Sequence, residues 1–294
     1  MALLNDILLD ATREHWAVGH FNASESDQMR AICQAAAELK TVAMIGTSEG
    51  EAKHLGYLEA VALRDAFRQE FGIPVFLNSD HHKSVAAAKQ AVDAGYDSIH
   101  IDLSASAFPE NVAGTKEVVE YVKRATRDKR QEASINVEGE LGYLQGESKV
   151  QNEKIAVSEK DYTNLEQARE FVEKTGVNRL AIVVGNIHGI SLDEPNLDIP
   201  RIRKIRALLP DTVALVLHAG SGISDDQIKA AIAAGIANIH INTDIRVAYT
   251  DALRKELGAA PSETTPYKFD EKAREALQNA VKAKLALFGA ANRI

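Results

Sequence analysis

"VALVLHAGSG", residues 213–222, runs an apolar stretch into a histidine, an alanine and then Gly-Ser-Gly. An apolar run that ends in glycines reads as a buried strand of a parallel sheet turning toward a helix. The histidine then stands at the C-terminal lip of the strand, and the glycines let backbone N–H groups face whatever lies there. Short apolar, β-rich runs recur along the chain. Strands are expected near Ala17–Phe21, Val42–Ile45, Pro74–Leu77, Ser98–Ile101, Ser134–Val137, Leu180–Val184, Val213–Leu217 and Ile236–Ile241. Between them lie alanine- and charge-rich segments of helical period, such as "SDQMRAICQAAAELK" and "SDDQIKAAIAAG". Ser26-Asp27 and Ser224-Asp225 supply N-cap chemistry, and Gly95 and Gly235 stand where helices end. Strict alternation gives a parallel sheet with right-handed crossovers. Eight repeats in about 250 residues suit an α/β (β/α)8 TIM barrel. A doubly wound open sheet is the alternative, but no dinucleotide fingerprint follows a strand. Residues 1–294 read as a single domain, with additional C-terminal helices from Arg246 onward.

Composition narrows the function classes. The chain has 294 residues, 45% of them apolar and 26% charged, with a net charge of −8. That charge gives no electrostatic case for a nucleic acid or an anionic membrane as partner. The single cysteine, Cys33, excludes a disulfide framework and a cysteine-based metal cluster. The opening "MALLNDILLDATREHW" has no basic n-region, and no apolar stretch approaches bilayer length, so a cytoplasmic location is expected.

In a barrel of this kind the active site lies at the C-terminal ends of the strands. The expected rim carries Asn22, Ser48, Asp80-His81-His82, Asp102, Glu138 and Glu140, His188-Gly189, His218-Ala219-Gly220-Ser221, and His240, Asn242, Thr243 and Asp244. Histidines at the ends of different strands match a catalytic zinc-type site with three nitrogens and one open position. The candidates are His81, His188 and His218. His100 and His240 are rivals, but in "SIHID" and "NIHIN" they lie mid-run, where a core histidine is the commoner reading. His82 points away from His81 if the strand persists. Asp102 and Glu140 are placed to orient metal ligands.

The glycines of "GNIHG" and "HAGSG", with "NTD" after the eighth strand, offer N–H groups and hydroxyls suited to an anion. A metal beside a phosphate site suggests a phosphorylated substrate whose oxygen reaches the metal, with Asp80 moving the proton. No lysine ends a central strand, which argues against Schiff-base chemistry.

These blocks resemble one family, the metal-dependent class II ketose-bisphosphate aldolases, which includes the fructose- and tagatose-bisphosphate enzymes. The resemblance runs through "VGHFNAS", "GTSEGEAKHLG", "SDHH", "HIDLSAS", "VEGELG", "TGVNRLAIVVGNIHG", "LVLHAGSG" and "INTDIRVA". It implies reversible cleavage of a ketose 1,6-bisphosphate to dihydroxyacetone phosphate and an aldehyde such as glyceraldehyde 3-phosphate. Asp80 would be the acid/base at the C4 hydroxyl, and His81, His188 and His218 would hold Zn2+ or a similar divalent metal. Asp102 and Glu140 match acidic positions near that metal. Gly189, Ala219, Gly220, Ser221 and Thr243 match a phosphate cradle, with a monovalent cation (Na+ or K+) beside it. Asn22 and Ser48 match substrate-side positions, and a homodimer or higher homo-oligomer is expected.

The chain departs from the family pattern in its eighth strand. His240 and Asn242 stand where the family typically has asparagine and aspartate, and both fall on the substrate side. Ala219 replaces a common glycine, and "YLQGESKVQNEK" leaves Glu147 as the candidate loop proton donor. A metal-dependent sugar-phosphate hydrolase or isomerase, or a non-catalytic ketose-phosphate binder, are the competing functions.

Overall fold

A computed structural model describes residues 3–128, 135–193 and 195–294. Eight parallel strands close into a barrel: β1 (Val18–Asn22), β2 (Ala43–Ser48), β3 (Val75–His82), β4 (Ser98–Ile101), β5 (Asn136–Leu141), β7 (Arg179–Ile182), β9 (Ala214–Leu217) and β10 (Ile236–Ile241). β1 closes the ring by pairing with both β2 and β10. The expected (β/α)8 barrel is therefore the fold. Two short segments outside the ring, β6 (Gly146–Val150) and β8 (His188–Ile190), pair with each other in parallel over the C-terminal mouth. At the opposite end, α1 (Leu4–Glu14) covers the barrel floor, where Asn136 Nδ2 donates to Asn5 Oδ1 at 2.6 Å. After β10 come α10 (Thr243–Ala259), α11 (Pro266–Phe269) and α12 (Glu271–Leu287); α12 packs back against β1 as the eighth helix of the ring, and α10 and α11 are the additional C-terminal helices. No helix among the described residues is long and apolar enough to cross a membrane.

β4, β9 and β10 end where expected, at Ile101, Leu217 and Ile241, and β7 ends at Ile182 rather than Val184, but others run on. β2, β3 and β5 run past their apolar stretches into polar residues, ending at Ser48, His82 and Leu141. The expected start of the fifth strand, Ser134, lies outside the described residues. The cause is the barrel's lumen. In β5 the helix-facing positions hold Val137, Gly139 and Leu141, while Asn136, Glu138 and Glu140 alternate onto the other face, and all six are buried. The apolar core thus lies between strands and helices, with Leu77, Ile99, Phe171 and Ile239 buried in it, and the lumen is polar.

Two capping expectations are corrected. Glu25, not Ser26 or Asp27, caps α2 (Ser26–Glu38), its carboxylate accepting from the Asp27 and Gln28 N–H groups at 2.8 Å each. Ser224 stands at the N-cap of α9 (Asp225–Ala233) without a side-chain cap bond, and there the helix ends on Ala234, one residue before Gly235. Gly95 closes α5 (Val85–Ala94) in the left-handed conformation, as expected.

Candidate active site

Strand register stacks histidines and carboxylates in the mouth of the barrel. His20 of β1 is the Cα partner of His240 in β10, and their rings stack at 3.6 Å with 13° between planes. Gly46 makes room for that stack, since a Cβ there would lie 2.1 Å from His20 Cε1. His100 in β4 is the partner of Glu138 in β5. Above this level come Asp80, His81 and His218, with His81 4.6 Å from His218, 4.7 Å from His100 and 5.0 Å from His188 between ring centroids.

Two non-glycine residues here hold left-handed backbone, His81 (φ 46°) and Ala219 (φ 58°). This conformation costs a side-chain-bearing residue about 1–2 kcal/mol, and such outliers gather at functional sites. At His81 the kink interrupts the β3–β4 register between Ser79 and His82. It turns the His81 ring into the mouth, where Nδ1 lies 2.9 Å from Asp102 Oδ2 and 3.7 Å from Glu140 Oε2. His82 is held apart by the Tyr57 hydroxyl, 3.0 Å from its Nε2.

Charge follows from burial and neighbours. Burial disfavours a charged His81, but Asp80 and the bond to Asp102 outweigh it and raise its pKa to about 9. His188 goes the other way, to about 3, chiefly through burial, with the neighbouring His81 adding to it. Burial also opposes ionised Asp80, yet His81, with His100 and His240 in contact, holds that carboxyl well below the usual range. Asn22 Nδ2 donates to Asp80 Oδ2 and to Glu51 Oε2, both at 2.9 Å, and so fixes the carboxylate plane.

Two hollows meet at His81 and His188. The narrow one, about 20 Å³, is lined by Asn22, Asp80, His188, Gly189, His218, Ala219, Ser221, His240, Asn242 and Thr243. The wider one, about 600 Å³, is lined by Ser48, Asp102, Glu140, Tyr143 and Glu147 among others. Thus most of the expected site residues surround one mouth.

Four expectations need correction. His100 and His240 are not apolar-core histidines: His100 Nε2 lies 3.2 Å from Glu140 Oε2, and His240 Nδ1 lies 3.3 Å from Asp80 Oδ1. Glu138 is not at a loop margin but inside β5, fully buried. Gly220 lines neither hollow, because its N–H is engaged by the His240 carbonyl at 3.0 Å. Glu147 is not held beside Asp80: it stands exposed on β6 at the edge of the wider hollow and pairs with Lys149 Nζ at 2.6 Å. The sequence reading also passed over His20, Glu51, Asn186 and Arg179. Asn186 ties two loops together, donating to the His218 carbonyl at 3.1 Å while accepting from Val184 N.

The donor set fits a divalent transition metal. Ligand atoms of Asp80, His81, His100 and His218 lie within 4.8 Å of one another, as do those of His81, Asp102 and Glu140. Asp80 Oδ1, His100 Nε2, Glu140 Oε2 and His240 Nδ1 are buried yet lack aligned hydrogen-bond partners. Such atoms are rare in folded proteins, and positive charge brought into the mouth beside them would offset the cost of their burial. Imidazole with carboxylate is the donor chemistry of zinc and its neighbours.

The chain matches the family model described as "Fructose-bisphosphate aldolase class-II" over residues 2–293. It is 35% identical over 293 residues to a fructose-bisphosphate aldolase of Staphylococcus aureus, spanning 99% of this chain and 98% of that one. A fructose-bisphosphate aldolase of Thermus caldophilus is 36% identical over 313 residues, with 98% of each chain covered. Among solved structures, the YdjI aldolase from Escherichia coli K12 superposes with a TM-score of 0.82 at 29% identity, covering 100% of this chain and 99% of the other.

Proposed function

The chain belongs to the class II fructose-bisphosphate aldolase family, a metal-dependent family, and is an aldolase; from that premise we propose that it cleaves fructose 1,6-bisphosphate at a Zn2+ site formed by His81, His188 and His218. The observation that supports the reading is the packing of the His188 and His218 rings against His81, at 5.0 and 4.6 Å between centroids, beside an ionised, hydrogen-bonded Asp80. Bound there, the metal would polarise the substrate's ketone oxygen and stabilise negative charge developing on it. The protein's own part is proton transfer and grip. Asp80, held by Asn22, accepts the proton of the C4 hydroxyl as the C3–C4 bond breaks, and the C4–C6 half leaves as aldehyde. Asp102 holds the His81 ring through Nδ1, and Glu140 lies beside it. His240, at 3.3 Å from Asp80 Oδ1, stands where it can share that carboxylate's hydrogen bonding.

Gly189, Ala219, Ser221 and Thr243 form the proposed cradle for the C1 phosphate, on the side of the mouth where barrels commonly bind phosphate. Na+ or K+ beside that phosphate belongs to the same reading. The test is a coupled triose-phosphate release assay on a panel of ketose bisphosphates, with and without chelator. Chelator-sensitive release that favours fructose 1,6-bisphosphate supports the reading. Cleavage of none of the panel by metal-loaded protein overturns it.

Two expectations follow from this geometry. Ser221→Ala should raise KM for a phosphorylated ketose by about 10–100-fold, since a hydrogen bond to a charged group contributes about 1.5–3 kcal/mol. Because Ser221 Oγ also accepts from Asp244 N at the start of α10, at 3.1 Å, stability should fall by about 1 kcal/mol as well. A steady-state KM series beside a denaturant melt reads both, and an unchanged KM with lowered stability would reduce Ser221 to a helix cap.

The second concerns pH. With a pKa raised to about 9, His81 is protonated at neutral pH in metal-free protein, and a metal ligand must lose that proton. Zinc affinity should therefore climb by about tenfold per pH unit toward pH 9 and level off above it. Metal-free stability has the opposite sign. The charged-His81 contribution is complete below pH 6.5 and is lost as pH rises through about 9. Chelator competition and denaturant melts across that window check the pair, and a flat zinc affinity would remove His81 from the ligand set.

A further inference from the structure

We infer that Arg179, at the closed end of the barrel, is a positioning residue for His218 and acts through Glu138; the inference rests on the metal-ligand reading of His218 given above. Arg179 is the first residue of β7, is fully buried, and lines neither hollow. Its guanidinium binds four strands at once. Nε donates to Asn136 Oδ1 at 2.7 Å, Nη2 to Asn78 Oδ1 at 3.0 Å and to Ser98 Oγ, and Nη1 to Asn238 Oδ1. A planar fork held from β3, β4, β5 and β10 has one orientation, which a lysine ammonium could not reproduce.

Glu138 is the Cα partner of Arg179 in the β5–β7 ladder, and its Oε2 lies 2.8 Å from Nη1. The other oxygen, Oε1, lies 2.6 Å from His218 Nε2. Ionised, as Arg179 and the surrounding histidines hold it against burial, Glu138 can only accept. The His218 ring must therefore carry its hydrogen on Nε2, which leaves the Nδ1 lone pair for the mouth. Orientation of a site histidine is thus set from the barrel floor, through one carboxylate whose Oε1 faces His218 Nε2 and whose Oε2 is ion-paired with Arg179 without an aligned hydrogen bond.

The bland alternative is that Arg179 only neutralises a buried carboxylate and fills the lumen. That role affects stability alone. The two roles separate in Arg179→Lys, which keeps the charge and loses the fork, and in Glu138→Gln, which keeps the shape. Each full-length variant is read in two ways: 15N imidazole shifts of His218 in metal-free protein, and Zn2+ affinity by competition with a chromophoric chelator. Wild type should show His218 protonated on Nε2 and bare on Nδ1. Both variants should mix the tautomers and weaken zinc binding by about 10–100-fold, the usual effect of removing such a partner.

Folded variants that melt lower but keep wild-type tautomer and zinc affinity overturn the inference, as does a wild-type His218 protonated on Nδ1. Should Arg179→Lys not fold, the double variant Arg179→Met with Glu138→Gln leaves no unpaired buried charge and is read instead. Weakened zinc binding there supports the inference, and wild-type affinity overturns it. Wild-type protein that takes up no Zn2+ would overturn the ligand reading. The tautomer, read without metal, would still decide the link from Arg179 to His218.

Discussion

Asp80→Asn is expected to lower kcat by about 10²-fold or more while metal content and KM stay within a few-fold of wild type. The amide preserves the shape of the carboxylate and can still accept from Asn22 Nδ2 through its oxygen. It has no basic oxygen for the C4 hydroxyl proton. The result carries information because Asp80 also belongs to a group that could ligate a cation directly, with His81, His100 and His218. A mutant with modest kcat loss and collapsed metal affinity would make Asp80 a ligand and leave the proton without an acceptor. Metal titration alongside initial rates separates the two outcomes.

His188→Ala and His218→Ala should each lose most bound metal and, with it, measurable turnover, but with different effects on folding. His188 sits on the small outer sheet, and its ring contact is with His81. Its removal should leave the melting midpoint nearly unchanged. His218 is the Nε2 partner of buried Glu138 Oε1. Deleting that ring strands a buried carboxylate oxygen, which costs about 1–3 kcal/mol. Elemental analysis with denaturant melts on the same preparations checks both halves. Retention of stoichiometric metal by either variant would redraw the ligand set.

The architecture was legible because strand and helix periods alternate cleanly along the chain, and the mouth was legible because "SDHH", "GNIHG" and "HAGSG" fall at strand ends. The lumen was less so. Reading strands as continuous apolar runs stopped the fifth at Val137, so Glu138 looked like a strand-end residue, while His100 and His240, placed inside their strands, looked like core residues because their neighbours are apolar. The signal was nonetheless present as period-two polarity: His20 and Asn22; Asn78 and Asp80; Ser98, His100 and Asp102; Asn136, Glu138 and Glu140; Asn238, His240 and Asn242. Alternating residues of a strand share one face, so these sets all point inward once the sheet closes. Arg179 had no such pattern to announce it. A single arginine opening an apolar run becomes meaningful only when Asn78, Ser98, Asn136 and Asn238 converge on it from other strands. Nor could spacing foresee the left-handed turn at His81, which sets its ring direction apart from simple alternation.

The most direct measurement is anomalous X-ray scattering at the zinc edge from crystals grown with Zn2+. The account predicts a single strong peak within bonding distance, about 2.0–2.1 Å, of one nitrogen from each of His81, His188 and His218, with Asp80 outside the coordination shell. A peak held instead by His20, Asp80 and His240, or by His81, Asp102 and Glu140 without His188 and His218, would contradict it.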